Sequence, residues 1–251
     1  MFERPHHRRV AEVLTALNAP LLQAHYCLFG GGTAIALRYG EYRESVDIDF
    51  LVSDMAGYRA LRQLLTGPTG LASIVRAGAT LNPLREVRAD QYGIRTVIGI
   101  DGVGIKFEIV REARIELARP GPEDRQCGVA TLTPLDMAAS KLLANSDRWA
   151  DDSVFSRDLI DLAMIHPGAR LLKQAREKAM QAYGESIDTD LAMAAEKLLA
   201  REGRLERCMQ AMQLTVPPAL LRQRIKALMP RANGRAPGSR QGGTAPESKP
   251  D

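Results

Sequence analysis

Asp47 and Asp49 stand two residues apart in the stretch "RESVDIDF", residues 43–50. Along an extended strand alternate side chains share a face, so the two carboxylates would point the same way with their Cα atoms roughly 6.6 Å apart. Arg43 and Ser45 continue that polar face, while Val46, Ile48 and Phe50 fall on the other. Carboxylates so arranged can bracket divalent cations. A pair of cations about 3.5–4 Å apart stabilises both the attacking and the leaving oxygen of a phosphoryl displacement. Mg²⁺ is usually held by one or two carboxylates together with substrate phosphates. The same spacing also occurs at solvated strand ends, so the neighbouring elements decide.

Upstream, "HYCLF" reads as a short strand that runs into Gly30, Gly31 and Gly32, and a helix pattern with Ile35, Ala36 and Leu37 follows, stopping near Gly40. A helix that starts this way offers free backbone N–H groups and its dipole to phosphate oxygens. A plain strand-to-helix turn would use the same glycines. Two familiar nucleotide loops are excluded. GxxxxGK[ST] fails because no Lys or Arg follows Gly30 until Arg38, and GxGxxG fails at Ile35.

Chemistry with two cations commonly draws a third carboxylate from a neighbouring strand. "GIRTVIGIDGVGIKFEIV" is a hairpin pattern with Asp101-Gly102 as a two-residue turn. On its second strand Val103, Ile105, Phe107 and Ile109 share one face, and Lys106 and Glu108 share the other. Glu108 is the candidate; in an ordinary strand Lys106 would simply neutralise it.

Other elements must position these groups. Val10, Val13, Leu14 and Leu17 mark an amphipathic first helix. The strand at Arg43 is expected to run through Val52, with Asp54 capping the helix "MAGYRALRQLL". A loop, "RPGPEDRQ", and a short strand, "GVATL", lead to Thr133, Pro134 and Asp136, a helix start of capping-box type. Four or five helices are expected from there to about Met229, with turns near Asp151, His166, Gly184 and Gly203. On the first of them Leu135, Ala138, Ala139 and Leu142 form an apolar stripe. Lys141 and Arg148 share a different face, and Asp158 and Asp161 lie together at i and i+3 on a later helix. The expected organisation is an α/β domain over 1–131, a helical domain over 132–230 and a disordered Gly/Pro/Ser-rich tail over 231–251.

At 251 residues, 45% hydrophobic and 25% charged, the chain has the composition of a soluble globular protein. It contains no apolar run long enough for a membrane helix, and no apolar segment follows the N-terminal "MFERPHHRRV" as a secretory signal requires. Cys27, Cys127 and Cys208 are scattered singly, and His6, His7, His25 and His166 lack zinc-type spacing. A cytoplasmic protein is expected. The net charge of +4 permits nucleic-acid binding without arguing for it.

With "KFEI", "KLLANSDR" and "RDLIDL" behind it, the block "GGTAIALRYGEYRESVDIDF" resembles the AbiEii/AbiGii toxin family of nucleotidyltransferases, within the DNA polymerase β-like superfamily. The resemblance covers roughly residues 25–165. It implies an α+β fold: a mixed sheet flanked by helices, followed by a helical domain. It further implies that Gly31, Gly32 and Thr33 hold the triphosphate of an incoming NTP, beside Arg43 and Ser45. Asp47 and Asp49 would bind catalytic Mg²⁺, two ions in all, with Glu108 as the third acidic group, where Asp is commoner in the superfamily. Lys141 and Arg148 would contact phosphates, and Asp158 and Asp161 would position Lys141 or the acceptor hydroxyl. The expected activity is transfer of a nucleoside monophosphate from an NTP to a macromolecular acceptor, an RNA such as tRNA, by a toxin with a cognate antitoxin protein. No motif lies beyond about Pro167, where acceptor selection is expected. Two other readings remain open on these residues: an antibiotic-type transferase acting on a small molecule, and a non-catalytic nucleotide-binding or partner-binding protein.

Overall fold

A computed structural model describes residues 2–229; the expected tail at 231–251 lies outside the described residues. Helix α1 (Pro5–Ala16) and the short α2 (Ala19–Ala24) precede β1 (Leu28–Gly30), α3 (Gly31–Arg38), β2 (Ile48–Val52) and α4 (Met55–Thr66). Strands β3 (Asn82–Pro83), β4 (Arg88–Ala89), β5 (Gly93–Ile100) and β6 (Val103–Arg111) follow, then a small ribbon of β7 (Arg125–Gln126) and β8 (Val129–Ala130). The chain continues as α5 (Pro134–Arg148), α6 (Arg157–Ile165), α7 (Ala169–Tyr183), α8 (Ser186–Ala200), α9 (Arg204–Ala211) and α10 (Pro218–Ala227). The fold is α+β. No helix among the described residues is long and apolar enough to cross a membrane.

The sheet runs β1-β2-β6-β5-β3, with β4 also on β5, and it is mixed: β2 and β6 are parallel and the other pairs antiparallel. Its register is what matters for chemistry. Gly30 pairs with Asp49, Asp49 with Glu108, and Glu108 with Arg95, so one row crosses four strands. Neighbouring strands lie about 4.8 Å apart, which sets these side chains side by side on one face. On the opposite face Phe29, Phe50 and Phe107 are buried with successive ring centroids 5.5 and 5.7 Å apart. Replacing such a ring by Ala typically costs about 3–5 kcal/mol, so this trio fixes the row above it.

Several local expectations hold. The β5–β6 turn at Asp101 and Gly102 has φ of 49° and 75°, the positive pair that a tight hairpin turn requires. Asp54 Oδ2 accepts from Gly57 N–H at 2.5 Å to start α4, and Thr133 Oγ1 accepts from Asp136 N–H at 3.2 Å to start α5.

Three details differ from the sequence-based expectation. The strand begins at Ile48, not Arg43: β1 pairs with β2 only as far as Asp49 before the chain turns into α3, and residues 43–47 form no ladder with β6 either. In that extended segment Val46 is 49% exposed instead of sitting on the core face. Six helices, not four or five, follow residue 132, and α2 was not expected. Buried side chains from Val10 to Leu228 form one continuous cluster, in which α3 packs on β1 and β2 on one side and on α5 and α6 on the other.

Candidate active site

The Asp47–Asp49 side of the sheet opens into a cleft of about 630 Å³. Gly31, Gly32, Arg43, Ser45, Asp47, Asp49, Lys106, Glu108, Lys141 and Arg148 all line it. Thr33, Asp158 and Asp161 are buried behind its wall.

The first corner is the start of α3. Gly31 has φ of +66°, and a Cβ there would sit 2.5 Å from Asp49 Oδ2. A side chain at Gly32 would run into the Arg43 guanidinium. The glycines thus let backbone amides approach the Asp49 carboxylate and the cleft without a side chain between them. Thr33 does something else: its hydroxyl donates to Asp47 O at 2.5 Å and accepts from Ser45 Oγ–H at 2.8 Å. Its side chain braces the segment that carries Asp47 and does not reach the cleft.

Asp49 is the perturbed group. Burial, then the neighbouring charges of Asp47 and Glu108, push its carboxyl up to about 6, against the opposing pull of Lys141 and Lys106. A partly buried site with this much negative potential suits a cation. Asp47 and Asp49 both line the cleft and are the carboxylates that would hold a divalent cation there. Glu108 stands beside Asp49 with both oxygens engaged, Oε1 accepting from Arg95 at 3.0 Å and Oε2 from Lys106 at 2.8 Å. No three His, Cys, Asp or Glu side chains converge as a ready metal site among the described residues.

The second corner is a buried ionic network from α5 and α6. Asp161 is fully buried and accepts from Tyr42 Oη at 2.6 Å and from Arg43 Nε and Nη2 at 2.7 and 2.9 Å. Lys141 Nζ lies 2.7 Å from Asp161 Oδ2 and 3.0 Å from Asp158 Oδ1. Arg148 closes the chain on Asp158 at 2.6 and 2.9 Å. Burial alone would raise both Asp carboxyls, but Lys141 with Arg148 on Asp158, and Arg43 with Lys141 on Asp161, outweigh it and hold them low. Lys141 stays charged for the same reason: burial opposes its charge, and Asp161 and Asp158 more than restore it. Three cations share two carboxylates, which leaves the wall with positive charge for an anion. Two turns of α5 and one of α6 place Lys141, Arg148, Asp158 and Asp161 for this, through i, i+7 and i, i+3 spacing.

Sequence reasoning missed several groups. Glu108's partner Arg95 was legible: pairing back from the Asp101–Gly102 turn matches Ile100 with Val103 and, further along, Arg95 with Glu108. Arg114, held on Glu112 and Asp147 at 2.7 Å each, and Phe155 also line the cleft, with no local signal. His7 and Glu41 form a buried support. His7 Nε2 accepts from Ser45 N–H at 3.1 Å, so Nδ1–H donates to Glu41 Oε1 at 2.7 Å. His6 Nε2 donates to Val46 O at 2.9 Å. Together the two histidines replace the missing strand partner of the segment bearing Arg43, Ser45 and Asp47.

Burial pushes the His7 imidazole below its ordinary 6.5, with Glu41 opposing. A histidine lowered in the fold lends stability that is complete above about 6.5 and lost as pH falls through the folded value. The melting temperature of the wild type should therefore drop more between pH 7 and pH 5 than that of His7→Gln. Parallel pH dependences in the two proteins would contradict the neutral, Ser45-bound form of His7.

A family model described as "Nucleotidyl transferase AbiEii toxin, Type IV TA system" matches residues 12–236. Among solved structures, a chain described as "putative nucleotidyltransferase from H. pylori" is similar at 16% identity, covering 88% of this chain and 92% of that one, with a TM-score of 0.44. JHP933 from Helicobacter pylori is similar at 14% identity, covering 91% and 93%, with a TM-score of 0.45. No curated protein matches.

Proposed function

This chain belongs to the AbiEii family of nucleotidyl transferase toxins, and on that premise we propose that it moves a nucleoside monophosphate from an NTP to the hydroxyl of a macromolecular acceptor, in a Mg²⁺-dependent reaction. The observation that carries the reading is one cleft in which the Asp47–Asp49 pair meets both the amide-rich start of α3 and the Lys141 ammonium. The α3 amides and the cationic wall of Arg43, Lys141 and Arg148 bind and orient the triphosphate. Asp47 and Asp49 are the residues that would hold Mg²⁺, which when bound neutralises developing charge on the phosphoryl oxygens. The acceptor hydroxyl attacks the α-phosphorus, the bond to the bridging oxygen breaks, and pyrophosphate leaves. The protein contributes mainly position and charge. Membership in a type IV toxin–antitoxin family implies an antitoxin partner. An RNA acceptor, such as a tRNA end, is the substrate we favour.

The test incubates the full chain with each labelled NTP, Mg²⁺ and total RNA. Label should appear on RNA with at least one NTP. Absence of label on any RNA or protein of a whole-cell lysate, with every NTP, would overturn the enzyme reading. Expression in a growing host separates the acceptor classes. Growth arrest is expected; resistance to an antibiotic without arrest would favour a small-molecule acceptor.

A further inference from the structure

Phe155 is 43% exposed, and it faces the same cleft as Asp49 and Lys141. The turn that presents it is unusual. Phe155 and Ser156 both adopt the left-handed conformation, with φ of 52° and 53°, a state that glycine would enter without strain. At 43% exposure a large part of the ring stays open to the cleft, and Phe155 is not a member of the buried core that could repay its backbone conformation.

The turn is nevertheless held rigidly from outside the cleft. Asp152 Oδ1 lies 2.6 Å from Lys197 Nζ on α8 and 2.7 Å from Arg204 Nη2 on α9. Lys197 also donates to Ala150 O at 2.6 Å, and Asp151 Oδ1 accepts from Ser153 N–H at 2.8 Å. Phe155 N–H bonds Asp152 O at 3.3 Å, and Ser156 O accepts from Ile160 N–H at 3.1 Å to launch α6. A backbone held in advance leaves only the ring's own rotamer to be ordered when a flat partner arrives.

The charged walls of the cleft suit phosphates, and a flat base needs a different kind of surface. Val154, Val46 and Met212 line the same cleft with apolar surface, and Arg157 follows Phe155 at the start of α6. A π-face beside cations is the arrangement on which bases stack with little regard for sequence.

We propose that Phe155 is a stacking platform for a nucleobase in the active cleft. This rests on the nucleotide-transfer reading above. The base has two sources, the incoming NTP or the terminal nucleotide of the acceptor strand, and the experiment distinguishes them.

The experiment titrates the full chain with each NTP and with inorganic tripolyphosphate, in Mg²⁺, for wild type, Phe155→Ala and Phe155→Trp. It also measures the KM for acceptor RNA. Because the ring is exposed, Phe155→Ala should keep its melting temperature. If the base belongs to the NTP, Phe155→Ala weakens NTP binding about tenfold and leaves tripolyphosphate binding unchanged, and Phe155→Trp restores it. If the base belongs to the acceptor, NTP binding holds and the acceptor KM rises about tenfold instead. Equal losses for NTP and tripolyphosphate, or no change in any of the three quantities, would overturn the platform. Wild-type protein that binds neither NTP nor tripolyphosphate would overturn the transfer reading itself and the platform with it.

Discussion

Asp49→Asn is expected to raise stability at neutral pH while it abolishes transfer. In the folded protein the Asp49 carboxyl titrates near about 6, against 3.8 in its ordinary state. Between those values the folded chain keeps a proton that the unfolded chain releases, so this group's contribution to stability falls as pH rises from about 4 to about 6. Above that the charged form is held at a penalty, and the amide removes it. The gain should be on the order of 1–3 kcal/mol at pH 7–8 and should vanish near pH 4. Activity should fall by about a thousandfold or more, because a group that binds the cation is lost. Urea unfolding of both proteins without divalent cations, at pH 7.5 and at pH 4, measures the first effect. A variant less stable than wild type at pH 7.5 would show that Asp49 is a structural ion partner and not a poised ligand.

The second large effect is at Asp161, where stability and activity should fall together. Its carboxylate is fully buried and is shared by Tyr42, Arg43 and Lys141. Asp161→Ala leaves two buried cations short of a counter-charge. Breaking a buried pair from one side typically costs about 3–5 kcal/mol, a large part of the roughly 5–15 kcal/mol by which a domain is stable. Lys141→Met should be milder for the fold, since Asp161 keeps Arg43 and Asp158 keeps Arg148. It should still remove transfer, because the cation that meets the triphosphate is gone. Denaturant midpoints for both variants decide this. If Lys141→Met destabilises as much as Asp161→Ala, Lys141 serves the fold first and the chemistry second.

How far these features could be read in advance depended on how local their causes are. The hairpin turn at Asp101 and Gly102, the caps at Asp54 and Thr133, and the glycine start of α3 are set by residues within a few positions of each other, and they were legible. So was the pairing of residues on one helix face, as with Lys141 and Arg148. The end of a strand was not legible, because it depends on where its partner stops. Residues 43–47 carry strand-like alternation, yet β1 turns away at Gly31 and the segment is held by His6 and His7 instead. Contacts such as Arg43 to Asp161, 118 residues apart, have no sequence signal in a single chain. Arg95 opposite Glu108 lies between these extremes, since hairpin register was enough to place it and changes what Glu108 is free to do.

The account stands or falls on whether Asp47 and Asp49 bind a divalent cation together with a nucleoside triphosphate. Mn²⁺ titrated by electron paramagnetic resonance, with a non-hydrolysable NTP analogue present, measures this directly. Binding to the wild type should weaken by about thirtyfold or more in both Asp47→Asn and Asp49→Asn, roughly 2 kcal/mol, and should be unchanged in the exposed control Glu202→Gln. Equal Mn²⁺ affinity in all four proteins would place the cation elsewhere and contradict the assignment.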